Sequence, residues 1–286
     1  MYIGPRPDDE RAGLRLARVD HLTFAERGPF DEVDRQWAKD LWELYGFSWD
    51  DSYLEGGRVS FLDMVKAMAD HLGPLAENLD VAVLANSTTD AETTFALPYL
   101  EQAAGGIGTV FGVSDQGSAA PFTSLRLLTS TLSQGSSGRG LVLVMDQTAL
   151  LAGPPVPPDL RPERDTAVAL LLERDGTLGA PDIRQHVTKS AGDVVDRFRE
   201  AAENTDGQSV IVICRAHVAP YWAKTGVKET EMLVAPEGQP CTALWSTLAD
   251  YYEQRLPGGD QHILLADYDE RLGYVSSCLL NTGGAR

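Results

Sequence analysis

Residues 110–128, VFGVSDQGSAAPFTSLRLL, hold a serine placed for nucleophilic chemistry. The apolar run 110–113 reads as a strand, Ser114-Asp115-Gln116-Gly117 as a tight turn, and 118–132 as a helix. A helix N-terminus presents unpaired backbone N–H groups and the positive end of the helix dipole. Such groups stabilise an oxyanion, and Ser118 stands at that tip. Gly117 lets the chain turn sharply before it, and Ala119 and Ala120 leave room above it. Serine is also a common N-cap, so the position by itself reads first as structural. Gln116-Gly117-Ser118-Ala119-Ala120 has neither glycine of a GxSxG elbow, since Gly117 falls at an x position, which does not support an α/β-hydrolase.

Other reactive residues offer less. Cys214, Cys241 and Cys278 have no CxxC spacing and lie in apolar surroundings, so they read as small core residues rather than a disulfide framework or zinc knuckle. His21, His71, His186 and His262 have no partner spacing. There is no GxGxxG after a strand and no GxxxxGK[ST], so no nucleotide cofactor is expected. The net charge is −18, from 42 acidic and 24 basic residues among 286. That balance argues against nucleic acid and anionic membrane as main partners, since both reward a basic face. The N-terminus lacks a signal-peptide core, and no run approaches the ~20 apolar residues of a membrane helix. A cytoplasmic protein is expected.

The elements that must position Ser118 follow from apolar periodicity. Helices are expected at 31–45, 60–72, 94–103, 118–132, 191–204 and 242–256. Short apolar runs at 81–85, 110–113, 141–145, 167–172, 210–213, 262–266 and 274–280 read as strands, the first two as buried ones. Strands alternating with helices imply a layered α/β fold. The order of elements repeats, which suggests two pseudo-duplicated halves, 1–175 and 176–286. Residues 1–14 read as a polar tail, and the proline-rich 153–163 as a surface loop.

These residues resemble the ketoacyl synthase III branch of the thiolase superfamily. There a strand leads into a nucleophilic cysteine, then small residues, then a long buried helix. The resemblance spans roughly residues 60–280. It includes Asp80–Ser87, the helix end at Ser133-Gln134-Gly135 with the strand ending at Asp146, Arg164–Leu170, and Leu256–Asp260. It implies a five-layered α/β/α/β/α fold and acyl-thioester chemistry. Ser118 most simply matches the cysteine, with Gly117 or Ala119 one residue of slippage away. His217, in Cys214-Arg215-Ala216-His217, is the best match to the family's histidine, offset by a residue or two. Asp267 or Asp269 would orient it. The family's asparagine is missing, and Glu237 or Gln239 occupies its region. Both glycines around Asp165 are replaced, and Asp165 itself reads as holding a turn. Without the asparagine, decarboxylative condensation is poorly supported. Acyl transfer needs only a nucleophile, a base and an oxyanion hole.

The resemblance therefore implies an acyltransferase or ketosynthase-like enzyme taking acyl-coenzyme A or an acyl carrier protein in polyketide or specialised biosynthesis. Its alternative is an inactive subunit that pairs with an active ketosynthase, as chain-length factors do. Thiolase-fold chains commonly pair through the strand before the nucleophile, so a dimer, homomeric or heteromeric, is expected.

Overall fold

The computed structural model describes residues 13–25, 27–30, 32–46, 48–49, 57–88, 90, 96–132, 138–149, 157, 160–188, 190–203, 205, 210–255 and 262–281. The tail at 1–12, most of the loop at 153–163, the turn at 133–135 and the segment 256–261 lie outside the described residues.

Among the described residues, ten strands form two five-stranded sheets. The first contains β1 (Arg15–Phe24), β2 (Val81–Asn86), β3 (Thr109–Val113), β4 (Gly140–Asp146) and β5 (Asp165–Glu173), in the order β1-β5-β4-β2-β3. The second contains β6 (Ala180–Val187), β7 (Val210–Arg215), β8 (Glu229–Ala235), β9 (His262–Asp269) and β10 (Tyr274–Asn281), in the order β6-β10-β9-β7-β8. The second order is the first repeated. The pairing senses repeat too: β2 is parallel to β3 and β4, as β7 is to β8 and β9. β5 and β10 run antiparallel to both their neighbours.

The helices complete five layers. The outer face of the first sheet carries α2 (Phe61–Leu72) and α3 (Ala96–Ala103), sealed by Met64, Met68 and Leu100 against Ala82, Leu84 and Leu143. Ser60 starts α2 through a reciprocal capping box with Asp63. The outer face of the second sheet carries α5 (Ala191–Glu203) and α6 (Ala219–Ala223), through Phe198 and Trp222. Between the sheets lie α4 (Ala120–Leu132) and α7 (Ala243–Gln254). Phe122 and Trp245 join them, ring centroids 5.2 Å apart. The amphipathic α1 (Glu32–Leu44) packs on a small cluster around Phe30 and Ala38. No helix among the described residues is long and apolar enough to cross a membrane.

Strand alternation sorts the side chains. On β2, Val81, Val83 and Ala85 face the middle layer, and so do Ile211 and Ile213 on β7 and Ile263 and Leu265 on β9. The intervening residues face the outer helices.

Two sequence expectations need correction. β3, read as a buried strand, is a sheet edge paired only with β2, and just Val113 is buried. The strands β1, β6 and β8 gave no apolar run, and each is also an edge. An edge strand covered on fewer sides carries polar and charged side chains, as in APDIRQHV of β6, and so lacks the signal that marks inner strands.

The middle layer raises an electrostatic difficulty at its helix ends. The first N–H groups of a buried helix have no water to bond. For α7, Asp146, the last residue of β4, supplies the acceptors. Its carboxylate takes the N–H of Cys241 (3.0 Å) and both the N–H and Oγ1–H of Thr242 (2.8 Å each). This bond set crosses from the first half to the second, as does Gln239 Nε2 donating to Thr166 Oγ1 at 2.7 Å. Burial pushes the Asp146 carboxyl up, against the donors from Thr242 and Cys241 that pull it down. Asp165 holds a turn: it accepts from Thr148 N (2.7 Å) and Arg27 Nε (2.9 Å).

Asp146→Ala would leave three buried donors without acceptors. It should lower unfolding free energy by about 3 kcal/mol, read by urea denaturation. A loss well under 1 kcal/mol would show that the cap does not hold the halves together.

Candidate active site

The tip of α4 is built differently from that of α7. A 3-10 turn, Gly117–Ala119, precedes the helix, so Ala119 N–H donates to Gln116 O (3.0 Å) and Ala120 N–H to Gly117 O. Pro121 brings no N–H. Ser118 N–H and Oγ have no hydrogen-bond partner among the described residues. The turn is fixed from outside: Thr123 Oγ1 donates to Gln116 Oε1 (2.6 Å), and Gln185 Nε2 to Ala119 O (3.2 Å). Cys241 Sγ donates to Gly117 O at 3.4 Å. Gly117 has φ +51°, and a Cβ there would lie 2.3 Å from Asp269 Oδ2. Only glycine fits, because the conformation is left-handed and a carboxylate fills the space.

Ser118 opens into a cavity of about 630 Å³, whose wall also includes Arg215, His217, Asp269, Glu270 and Arg271. The structure thus brings Ser118 and His217 to one cavity. His217 is exposed, and its Nε2 lies 3.0 Å from Tyr268 O. A carbonyl only accepts, so Nε2 carries the hydrogen and the neutral ring leaves Nδ1 free as an acceptor.

Asp267 is placed elsewhere than expected. It continues the inward face of β9 after Ile263 and Leu265 and is 1% exposed. Its Oδ1 is 3.3 Å from Arg215 Nε, and neither carboxylate oxygen is hydrogen-bonded among the described residues. It therefore faces Arg215 and does not hold His217. Arg215 is the inward residue after Ile211 and Ile213 on β7, so the strand's inner end carries a guanidinium where a histidine was sought. Its Nη2 donates to Gln239 O (3.3 Å) and to Pro240 O. Gln239, in the region of the missing asparagine, is buried and spends its amide N–H on Thr166.

Arg215 was passed over in the sequence, and Asp269 was named only as an alternative to Asp267 for orienting His217. The period-2 count along VIVICR would have found the first. Nothing local marks the second, since its closeness to Gly117 is a contact between halves.

The cysteines are core residues. All three are buried. Burial, with Asp267 and Glu229 nearby, pushes Cys214 up to about 11. Cys241 rises well above the usual thiol range through burial and the adjacent Asp146, and burial raises Cys278 as well. Among the described residues no three His, Cys, Asp or Glu side chains gather as metal ligands. Iodoacetamide at pH 8 should therefore leave all three thiols of the native protein unmodified for hours, read by intact mass. Rapid alkylation of Cys241 would make it, and not Ser118, the nucleophile to pursue.

No family model and no curated protein matches the sequence. Solved structures match over nearly the whole chain. A tetronic acid condensing enzyme, AbyA1, aligns with TM-score 0.62 and 15% identity, over 93% of this chain and 99% of that one. The acyltransferase ChlB3 aligns with TM-score 0.66 and 14% identity, over 94% and 97%. A 3-oxoacyl-(acyl-carrier-protein) synthase III aligns with TM-score 0.64 and 13% identity, over 94% and 99%. The chain has the thiolase-like fold, with two mixed sheets and a buried middle layer of helices. At these identities the likeness is one of fold.

Proposed function

We propose that the cavity binds an acyl thioester, acyl-coenzyme A or acyl carrier protein, and that Ser118 takes the acyl group. The observation that carries this reading is an unpartnered hydroxyl at the tip of a buried helix, facing a cavity it shares with His217. Ser118 Oγ attacks the thioester carbonyl, and its proton passes to Nδ1 of His217. The C–S bond breaks, and the thiolate leaves as thiol on receiving that proton. An acceptor hydroxyl, amine or thiol then displaces the serine. Ser118 N–H is the free backbone donor for the oxyanion. Asp267 contributes by holding Arg215 in the wall. The structural neighbours that are acyltransferases and condensing enzymes support the same class. Transfer is favoured over condensation because Gln239 is committed to Thr166 and the inner end of β7 carries Arg215. Polyketide or related specialised biosynthesis is the setting that the sequence resemblance implies.

A second reading, an inactive subunit that shapes a partner's site, is favoured by one observation. Asp269 Oδ2 lies against Gly117, so a carboxylate stands beside the place where negative charge would develop.

Incubation with acyl-coenzyme A should add one acyl mass to the intact protein, and Ser118→Ala should abolish it with little change in melting temperature. His217→Ala should slow acylation by about 10²–10⁴-fold. Equal labelling of wild type and Ser118→Ala would decide for the inactive subunit.

Among the described residues, β3 leaves one backbone edge without a partner strand. We infer a dimer joined there, with a second copy or a ketosynthase-like chain. Light scattering of the protein alone at micromolar concentration should give twice the chain mass, and a monomer would leave only the heteromeric form.

A further inference from the structure

Resting on the acyl-thioester reading, we propose that the cavity selects a short, neutral acyl group bearing an oxygen substituent, such as a hydroxyl, and that Arg215 recognises that oxygen. The inward end of β7 puts the guanidinium into the cavity wall. Nε faces Asp267 at 3.3 Å, and Nη2 is spent on the carbonyls of Gln239 and Pro240. Nη1 has no hydrogen-bond partner among the described residues, so one branch of a fixed guanidinium remains to donate. The anchoring matters: a buried carboxylate on one side and two carbonyls on the other remove the side chain's freedom before a ligand arrives.

The wall decides the rest. Along it Arg215 and Arg271 are balanced by Asp269 and Glu270, with Asp267 behind Arg215. A terminal carboxylate on the acyl group meets no net positive charge there. Leu160, Pro240 and Tyr268 give the wall apolar contact for a short acyl stem, whereas a long chain would also lie against the charged groups and strip water from them. A hydroxyl or keto oxygen accepts from Nη1 and adds no charge.

The test is isothermal titration calorimetry on full-length Ser118→Ala, in which acylation is blocked. The probes are butyryl-, 3-hydroxybutyryl-, succinyl- and lauroyl-coenzyme A. The 3-hydroxybutyryl thioester should bind about tenfold tighter than butyryl, the worth of one hydrogen bond to a charged donor. It should also bind tighter than the succinyl and lauroyl thioesters. Adding Arg215→Met with Asp267→Asn removes both charges together and should bring the hydroxybutyryl-to-butyryl ratio to about one. If that variant does not fold, Arg215→Lys, which keeps the charge but loses the second branch, should lower the same ratio. Equal affinity for the two four-carbon thioesters, tightest binding of lauroyl or succinyl, no thioester binding, or a ratio untouched by the Arg215 variants would each overturn the proposal. Selectivity without any adduct on the wild-type protein would remove the acyl-serine step and leave the selectivity standing. An adduct without selectivity would do the reverse.

Discussion

Two helices lie between two sheets, and the residues of their first turns are buried. Their exposed N–H groups must find acceptors inside the protein, and this requirement governs how the halves meet. The repeated topology makes β4 equivalent to β9 and α7 equivalent to α4. Each strand ends in an aspartate, Asp146 and Asp269, and each aspartate reaches the start of the central helix in the other half. Asp146 closes its helix with three bonds. Asp269 instead turns Oδ1 to Leu272 N–H (2.9 Å) and rests Oδ2 against Gly117. One helix end is sealed and the other is left open. The cavity at Ser118 is the unsealed member of a symmetric pair.

That asymmetry explains why the second half supplies most of the polar wall. An open helix tip carries partial positive charge, and Asp269 offsets it without occupying the N–H of Ser118. Arg215 and Asp267 add a pair in which Asp267 is almost wholly buried. Such a pair contributes little net stability, since desolvation consumes most of the attraction. Its effect is on placement: it fixes a guanidinium at the inner end of β7, pointing into a space that an apolar pair would have filled. The two sheets could pack more tightly with leucine at these positions, so the pair fits a cavity that has to stay open and polar.

The inner strands of both halves were legible because burial on two faces writes an unbroken apolar run, as in LVLVM of β4 and HILLA of β9, and the helices were legible from their period except the one-turn α6. The edges were not. RLARVDHLTF of β1 mixes charges with apolar residues, as its half-covered place requires, and so imitates a loop. Repeat order showed through despite these gaps, because the inner elements alone preserve it. The site was legible where chemistry and backbone coincide, at Ser118, whose helix tip follows from the strand, the glycine and the small residues. It was less so where placement depends on the other half. His217 stood out as a histidine, yet the inward position on its strand belongs to Arg215. Asp267 stood out as an acid, yet its neighbour is that arginine.

On the proposed acyl-transfer reading, the remaining tension in the site lies between Ser118 as nucleophile and the acid beside it. A cysteine at a helix tip gains from the dipole because its thiolate forms near neutral pH. A serine does not ionise there and depends on a base at the moment of attack. His217 holds the required free nitrogen but is exposed and anchored through Nε2 to Tyr268 O, not drawn against Ser118. Asp269 meanwhile opposes negative charge at the tip. Both facts point the same way for that proposal: its reactivity requires a bound acyl thioester that expels water, strengthens the donor at Ser118 N–H and brings the histidine's free nitrogen to the hydroxyl. Without that closure the tip is a polar pocket with a serine in it, and the same residues then serve recognition alone. On that proposal the chemistry turns on whether the His217 turn, between β7 and α6, brings Nδ1 to Ser118 when the cavity fills.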